Sequence, residues 1–179
     1  VEKALKKIHE KGINSVAIVL MHSYMYPAHE LSIKEVCKKV GFGQISASSE
    51  IFSRIKIIAR GQTACVDAYL NPHLMRYIQE FTKGFDEGIH KKVNLYFMQS
   101  DGGLAHVSNF TGIKAILSGP AGGIVGYSLT TYYHKKNANP RRPVIGFDMG
   151  GTSTDVSKNS GGFDHVFDTR ISGVSIAAP

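Results

Sequence analysis

Several short patterns that mark common catalytic classes are missing from this 179-residue chain. No G-x-x-x-x-G-K-[ST] segment is present, which excludes a phosphate site of the P-loop class. There is no G-x-S-x-G elbow and no cysteine obviously paired with a histidine, so the sequence shows no nucleophile for an energy-independent hydrolase. The eight histidines form neither an H-x-H nor an H-E-x-x-H pattern, and a zinc site of that kind is not expected.

Cysteine and long apolar runs are also scarce. Cys37 and Cys65 lie in unrelated segments without metal-ligand spacing, and we expect both to be reduced, buried residues of a cytoplasmic protein. No stretch approaches the roughly 18 apolar residues that a membrane span needs. The net charge of +7 comes from scattered lysines and arginines without interleaved aromatic residues, which favours a solvated surface over a nucleic-acid interface. Neither nucleic acid nor a membrane is an expected partner.

Glycine, by contrast, is frequent, and residues 146–156 (GFDMGGTSTDV) place it in an informative context. The apolar run 143–147 predicts a buried strand that delivers Asp148 to a turn. Gly150 and Gly151 would tighten that turn and leave its backbone N–H groups bare, while residues 152–156 predict a returning strand. Bare amides, hydroxyls and a carboxylate suit the phosphates of a nucleotide and Mg²⁺. The same residues also suit an ordinary hairpin turn in which glycine supplies a positive φ.

The segment that begins at Ser118 predicts a helix that runs to about Tyr133. Ser118 is a candidate cap, and Pro120 is tolerated in a first helical turn. The helix is rich in small residues that are poor helix formers, namely Ala121, Gly122, Gly123 and Gly126. We therefore expect it to pack closely against another element or to place its N-terminus near an anion. A flexible loop is the weaker alternative, because the apolar residues that follow have helical spacing.

The first part of the chain predicts alternating helices and strands. Helices are expected at 1–11 and 28–40 and strands at 15–21 and 44–48, which favours a parallel or mixed sheet flanked by helices. A long helical pattern runs from Arg60 to about Phe81, and Pro72 is expected to interrupt it.

A further strand, 93–98, leads into a polar glycine turn. The turn residues are Ser100, Asp101, Gly102 and Gly103. Such a turn after a strand is a place where α/β proteins bind ligands, but it is equally typical of a structural turn. Both interpretations stay open at this point.

The order of a small-residue helix, a strand, Asp-x-Gly-Gly-Thr and a second strand resembles the ATPase core shared by actin, sugar kinases and heat-shock chaperones. Residues 60–72, 97–104, 116–123 and 146–156 narrow the resemblance to the hydantoinase and oxoprolinase family. Residues 20–24 and 126–132 are most similar to the members that open 5-oxoproline. The resemblance covers almost the whole chain.

This resemblance implies an α/β fold with mixed sheets flanked by helices, as a part of the actin-like ATPase fold. Residues 1–60 would be the end of an N-terminal domain and 61–179 the truncated start of the ATPase domain. We expect the chain to be a piece of a longer enzyme. The isolated piece is expected to be inactive, since it has only one of the phosphate-binding hairpins.

The implied activity is the ATP-dependent opening of 5-oxo-L-proline to L-glutamate, a step of glutathione metabolism. An ATP-dependent hydantoinase and an actin-like ATP switch without ring chemistry are the alternatives. ATP and Mg²⁺ are the implied cofactors. The implied partners are a small cyclic amide, the remainder of the same chain and a second copy in a homo-oligomer.

The hairpin residues then take expected roles. Asp148 is the candidate catalytic residue and holds Mg²⁺, through water. The candidate nucleotide-binding residues are Gly150, Gly151, Thr152, Ser153, Thr154 and Asp155. The turn at residues 100–103 is a candidate substrate loop.

Overall fold

The computed structural model of the protein describes residues 1–86, 88–134, 142–164, 166–171 and 173–177, without the side chains of residues 90 and 91. Residues 135–141, which follow the predicted small-residue helix and are basic and polar, lie outside this description. The chain divides into two compact units. The first comprises residues 1–89, 111–113 and 166–178, and the second comprises residues 90–110, 114–165 and 179.

Helices and short strands alternate along the described chain. In chain order they are α1 (Glu2–His9), β1 (Ser15–Ile18), α2 (Ala28–Val40), β2 (Gln44–Ala47), α3 (Ser48–Ile51), α4 (Ile57–Lys83), α5 (Ile89–Lys92), β3 (Tyr96–Met98), β4 (Leu104–His106), α6 (Gly112–Ala115), α7 (Ser118–Tyr127), β5 (Val144–Met149), β6 (Thr154–Asn159), β7 (Thr169–Ile171) and β8 (Val174–Ile176). The strands form four two-stranded sheets, of which β1–β2 is parallel and the others are antiparallel.

The parallel sheet and its helices form the core of the first unit. Strand β1 pairs with β2 in the register Ser15 to Gln44, and a buried cluster of Leu5, Ile18, Cys37 and Phe42 joins the sheet to α1 and α2. Helix α2 has the predicted bounds and ends at Gly41, whose φ of 106° lies in the left-handed region that favours glycine. The predicted parallel sheet flanked by helices is confirmed here.

Helix α4 runs unbroken through Pro72, so the predicted interruption is wrong. A proline inside a helix removes one N–H donor and leaves the carbonyl four residues earlier without its usual partner. That carbonyl belongs to Ala68, and it accepts a hydrogen bond from the hydroxyl of Ser15 on β1 instead. Tertiary packing supplies the bond that the helix itself cannot make.

One face of α4 is polar and nevertheless buried. Arg60, Thr63 and Asp67 are each at most 4% exposed. The Thr63 hydroxyl accepts from Ala177 N at 2.9 Å. The two carboxylate oxygens of Asp67 accept from Ser46 Oγ at 2.8 Å and from Ile113 N at 3.3 Å.

Asn71 continues this face one turn further along α4. Its amide donates to Gln44 Oε1 at 2.9 Å and accepts from Gly112 N at 3.0 Å. A Cβ at Gly112 would lie 2.7 Å from Asn71 N, so only glycine allows this approach. The inward-facing polar residues of the family-like segment 60–72 therefore have hydrogen-bond partners within the first unit, which gives them a structural role.

Two fully buried charges in this unit are joined through a serine. Ser48 Oγ accepts from Arg60 Nε at 2.9 Å and donates to Glu30 Oε1 at 2.7 Å. Leu20 is held from both sides, because its N–H donates to Glu30 at 2.8 Å and its C=O accepts from Arg60 at 2.7 Å. Burial by itself would raise the pKa of Glu30, but the bonds from Ser48, Ser49 and Leu20 outweigh it and lower the pKa.

The second unit joins two hairpins to helix α7. Strand β3 pairs antiparallel with β4, and β5 pairs antiparallel with β6. The predicted helix is present, and after Tyr127 it continues as a π-helical turn to Tyr132. Ser118 is its first residue rather than its cap, since Leu117 holds the cap position and the Ser118 hydroxyl donates to Ala115 O. At the far end, Asn159 Nδ2 donates to Ser128 Oγ at 2.6 Å and ties β6 to this turn.

The two cysteines differ in exposure. Cys37 is fully buried, and burial raises the pKa of its thiol. Cys65 is exposed, so the expectation that both are buried is wrong. It lies on the side of α4 opposite the polar face, where the sequence offered no sign of orientation. Across the described residues, no helix combines the length and apolarity needed to cross a bilayer.

Candidate functional site

The hairpin formed by β5 and β6 brings two carboxylates together. Asp148 on β5 is directly opposite Asp155 on β6, and Met149 is opposite Thr154. Cβ atoms of directly opposed residues lie about 4.5–5.5 Å apart, and like charges in that position destabilise a sheet. The strand thus extends one residue past Asp148, and the returning strand begins at Thr154 rather than at Thr152.

The two faces of this hairpin have opposite character. Successive side chains of a strand alternate between faces, so Gly146 and Asp148 share a face with Asp155 and Ser157. The other face carries Ile145 and Phe147 with Met149 and Val156, which are 63–73% exposed. The prediction of a buried strand is wrong for this structure, because no described residue covers that apolar face.

Helix α7 lies against the polar face and encloses a cleft. The cleft has a volume of about 330 Å³ and is lined by residues 146–148 and 155–157 of the hairpin. The helix contributes Pro120, Gly123, Ile124 and Tyr127. The small residues of α7 permit this closeness, since a Cβ at Gly123 would already lie 3.6 Å from Asp148 Oδ2. The predicted close packing of the small-residue helix is confirmed.

The tip of the hairpin is open. Gly150 N donates to Ser153 O at 2.9 Å and closes the turn, and residues 150–155 are exposed. Neither Gly150 nor Gly151 has a positive φ, and a Cβ at Gly151 would meet nothing within 4 Å. Backbone conformation therefore does not require glycine at these positions. What glycine does here is leave the exposed backbone of Gly151 without side-chain cover, as an anion-binding turn requires.

The carboxylates of the cleft fit a magnesium ion whose remaining coordination positions are filled by a bound ligand and water. Mg²⁺ is bound in nucleotide sites by one or two carboxylates together with phosphates and waters. Asp148 and Asp155 supply two carboxylates on one face, and a cation between them would relieve their repulsion. Among the described residues, no group of three or more histidine, cysteine, aspartate or glutamate side chains could hold a metal unaided.

The turn at residues 100–103 is tightly bonded to its own unit. Ser100 Oγ donates to Lys114 O at 2.8 Å and accepts from Leu117 N at 3.0 Å, which positions the start of α7. Asp101 Oδ1 accepts from Gly103 N at 2.8 Å. Gly102 has a φ of 79°, which only glycine adopts readily. These contacts give the turn a structural role, and its role as a substrate loop stays a prediction.

Two cleft residues with polar side chains, Tyr127 and Ser157, are absent from the sequence-based candidates. Ser157 lies two residues after Asp155, so the period of two in a strand could have found it. Tyr127 lies one turn beyond Gly123 on α7. The sequence of its segment resembles the family but indicates no role for this residue.

Family models match most of the chain. Residues 60–179 match the model described as "Hydantoinase/oxoprolinase", and residues 1–41 match "Hydantoinase/oxoprolinase N-terminal region". The chain is 51% identical to a protein named 5-oxoprolinase from Dictyostelium discoideum over 187 aligned residues. That alignment covers 100% of this chain but 15% of the relative, so the chain spans about one seventh of its length.

Two solved structures share the fold. The nucleotide-free acetone carboxylase structure matches with a TM-score of 0.73 at 20% identity, over 99% of this chain and 25% of the other. The ATP-dependent caprolactamase from Pseudomonas jessenii matches with a TM-score of 0.69 at 25% identity, over 98% of this chain and 25% of the other.

These matches confirm the expected fold class, a mixed α/β arrangement of small sheets that is part of an actin-like ATPase type of fold. Together with the family models, which cover the hairpin, the cleft and the buried face of α4, they settle the relationship: the chain belongs to the hydantoinase/oxoprolinase family.

Proposed function

We propose that this chain is part of an ATP-dependent hydrolase that opens 5-oxo-L-proline to L-glutamate while ATP is cleaved to ADP and phosphate. The observation that carries the proposal is the open glycine tip beside two opposed carboxylates. It occurs in a chain that is 51% identical over its whole length to a 5-oxoprolinase. The proposal concerns the longer protein, of which this chain is one part.

The hairpin tip is the proposed phosphate site. Gly150, Gly151 and Thr152 bind the β- and γ-phosphates; the Gly151 amide and the Thr152 hydroxyl are the donors, and Gly150 shapes the turn because its own N–H is engaged by Ser153 O. Ser153 and Thr154 add supporting contacts. The exposure of all five residues supports this role, because none of them is enclosed by described neighbours.

The opposed carboxylates are the proposed magnesium site. Asp148 would hold the ion, through water, and Asp155 on the paired strand would support it. The ion supplies positive charge that offsets the charge of the phosphates. Asp148 and Asp155 hold it on the side of the hairpin that faces the cleft, so the nucleotide has a defined orientation.

The ring chemistry explains the need for ATP. A five-membered lactam is a poor electrophile, and its hydrolysis to glutamate is unfavourable near neutrality. Transfer of the γ-phosphoryl group to the amide oxygen releases ADP and makes the ring carbon electrophilic toward water. Addition of one water and cleavage of the ring C–N bond give an acyl phosphate and the free amine, and a second water hydrolyses the acyl phosphate to glutamate and phosphate. Catalysis of such transfers rests mainly on positioning and electrostatic stabilisation, which is what the hairpin provides.

The remaining roles are proposals of the same kind. We place the end of the N-terminal domain at about residue 60 and the start of the ATPase domain at 61. Residues 100–103 are proposed to contact the cyclic amide through Asp101, since only its Oδ1 is engaged by Gly103. Cytoplasmic location and a homo-oligomeric state rest on the family resemblance alone.

The test is ATP turnover by the full-length protein with 5-oxoproline, hydantoin or caprolactam, following ADP and the ring-opened product together. Equal amounts of ADP and glutamate with 5-oxoproline, and little product from the other rings, are expected. Coupled opening of hydantoin instead would identify the hydantoinase alternative. ADP release that ignores every ring would contradict ring chemistry and favour a nucleotide switch. Removal of Mg²⁺ by chelation is expected to stop both products.

A further inference from the structure

The hydroxyl of Tyr127 is an unexplained feature of the cleft. The oxygen is buried and finds no hydrogen-bond partner among the residues that the structure describes. A buried hydroxyl normally has a partner, and one that lacks it destabilises the state in which it is buried. The fold therefore keeps an unsatisfied donor on a side chain that lines the same cleft as the two carboxylates.

The aromatic ring that carries this hydroxyl packs against a glycine that leaves space for it. It lies on β5 at Gly146, where a Cβ would approach Tyr127 Cε1 to 2.3 Å and Cζ to 2.9 Å. No residue with a side chain fits there without moving the ring. Gly146 is two residues before Asp148 on the same face, which corresponds to about 6.6 Å along a strand.

Packing against the strand requires the aromatic ring of Tyr127 but not its hydroxyl oxygen. Tyr127, Gly123 and Ile124 of α7 line the cleft together with Asp148 and Asp155. Phenylalanine would supply the same apolar contact with the strand. The hydroxyl adds a donor that no described residue satisfies, on a side chain that lines the cleft.

We propose that Tyr127 is a nucleotide-contacting residue whose hydroxyl donates a hydrogen bond to a phosphate oxygen of the nucleotide bound at the hairpin. This inference rests on the proposed function. An anionic oxygen is the suited acceptor, because a hydrogen bond to a charged group is stronger than one to a neutral group. The bond forms only with ligand, so the ligand-free protein gains no stability from the hydroxyl.

The test is Tyr127→Phe in the full-length protein, with Tyr132→Phe as the matched control. Tyr132 OH donates to Ser160 O at 2.8 Å, so its removal breaks a bond within the ligand-free fold. For Tyr127→Phe we expect an unchanged or higher Tm and a KM for MgATP and a Kd for a MgATP analogue raised about tenfold or more. For Tyr132→Phe we expect the reverse, a lower Tm with unchanged KM and Kd.

The outcomes separate this inference from the function on which it rests. Unchanged KM and Kd in an active Tyr127→Phe protein would overturn the inference and leave the proposed function standing. A fall in Tm like that of Tyr132→Phe would also overturn it, since the hydroxyl would then have a structural partner. If the wild-type protein neither binds nor cleaves ATP while it remains folded, both proposals fail together.

Discussion

The polar face of α4 and the polar face of the β5–β6 hairpin use similar residue types in opposite ways. On α4, Arg60, Thr63 and Asp67 are buried, and each bonds to a neighbour within its unit. On the hairpin, Asp148 and Asp155 are exposed and lie directly opposite each other. Both segments lie within the residues that match the family model.

The comparison shows that resemblance identifies segments without distinguishing their roles. Satisfied and buried polar groups stabilise the fold, because a partner lost in the interior leaves an uncompensated group. Opposed like charges on an exposed strand pair contribute nothing to stability and require another explanation. Substitutions in the first region should therefore change stability, and those in the second should change activity.

The largest expected effect is that of Arg60→Met. The change leaves the buried carboxylate of Glu30 without its cation, which is bridged to it by Ser48. Loss of one partner of a buried pair costs about 3–5 kcal/mol of the free energy of unfolding. Chemical denaturation of the longer protein measures it. The control is Lys56→Met, which removes an exposed ion pair with Asp168 and should cost less than about 1 kcal/mol.

Asp148→Asn should lower activity without lowering stability, the opposite of Arg60→Met. We expect ATP turnover in the full-length enzyme to fall about 100- to 1000-fold, the size seen when one electrostatic stabiliser of a transition state is removed. The Tm should stay the same or rise, because the repulsion from Asp155 is relieved. Asp164→Asn, at an exposed position outside the cleft, is the control. Unchanged ATP turnover in Asp148→Asn would remove the hairpin from the mechanism.

The pH dependence of stability should separate the regions further. The folded-state pKa of Glu30 is lowered from the ordinary value of 4.5. Its contribution is therefore present above about pH 4.5 and is lost as the pH falls toward the lowered pKa. Glu30→Gln should lose about 1–3 kcal/mol at neutral pH and show a weaker loss of stability in acid. If stability falls with pH in the same way in wild type and Glu30→Gln, Glu30 does not contribute to the acid dependence. Glu35→Gln, on the exposed side of α2, controls for the loss of a surface charge.

The smallest effect is expected on the exposed side of α4. Cys65→Ser should change the free energy of unfolding by less than about 0.5 kcal/mol, as is usual for surface substitutions. Cys37→Ser, in the buried cluster, should be clearly destabilising. Maleimide labelling of the native protein should modify Cys65 and leave Cys37 unmodified. Equal labelling of both would contradict the difference in burial.

Sequence patterns predicted the local elements well. Helix α2 ends where Gly41 stops it, and the hairpin around Gly150 and Gly151 is present. Two predictions were wrong, the helix interruption at Pro72 and the burial of Ile145. They share a cause, because both outcomes depend on contacts with distant parts of the chain. The Ser15 hydroxyl satisfies Ala68 from another element, and the cover of a strand's apolar face comes from whatever packs on it. Neither is encoded in the neighbouring residues.

The sequence by itself determined the elements, the family and the position of the glycine turn, because helix stops, turn residues and strand alternation act over a few residues. Only the tertiary structure decided which polar residues are available. It buried Arg60 and Asp67 against hydrogen-bond partners, opposed Asp148 to Asp155 and placed Tyr127 over Gly146. Burial and pairing depend on residues far apart in the chain, and these two quantities decide whether a polar group stabilises the fold or remains free to bind a ligand.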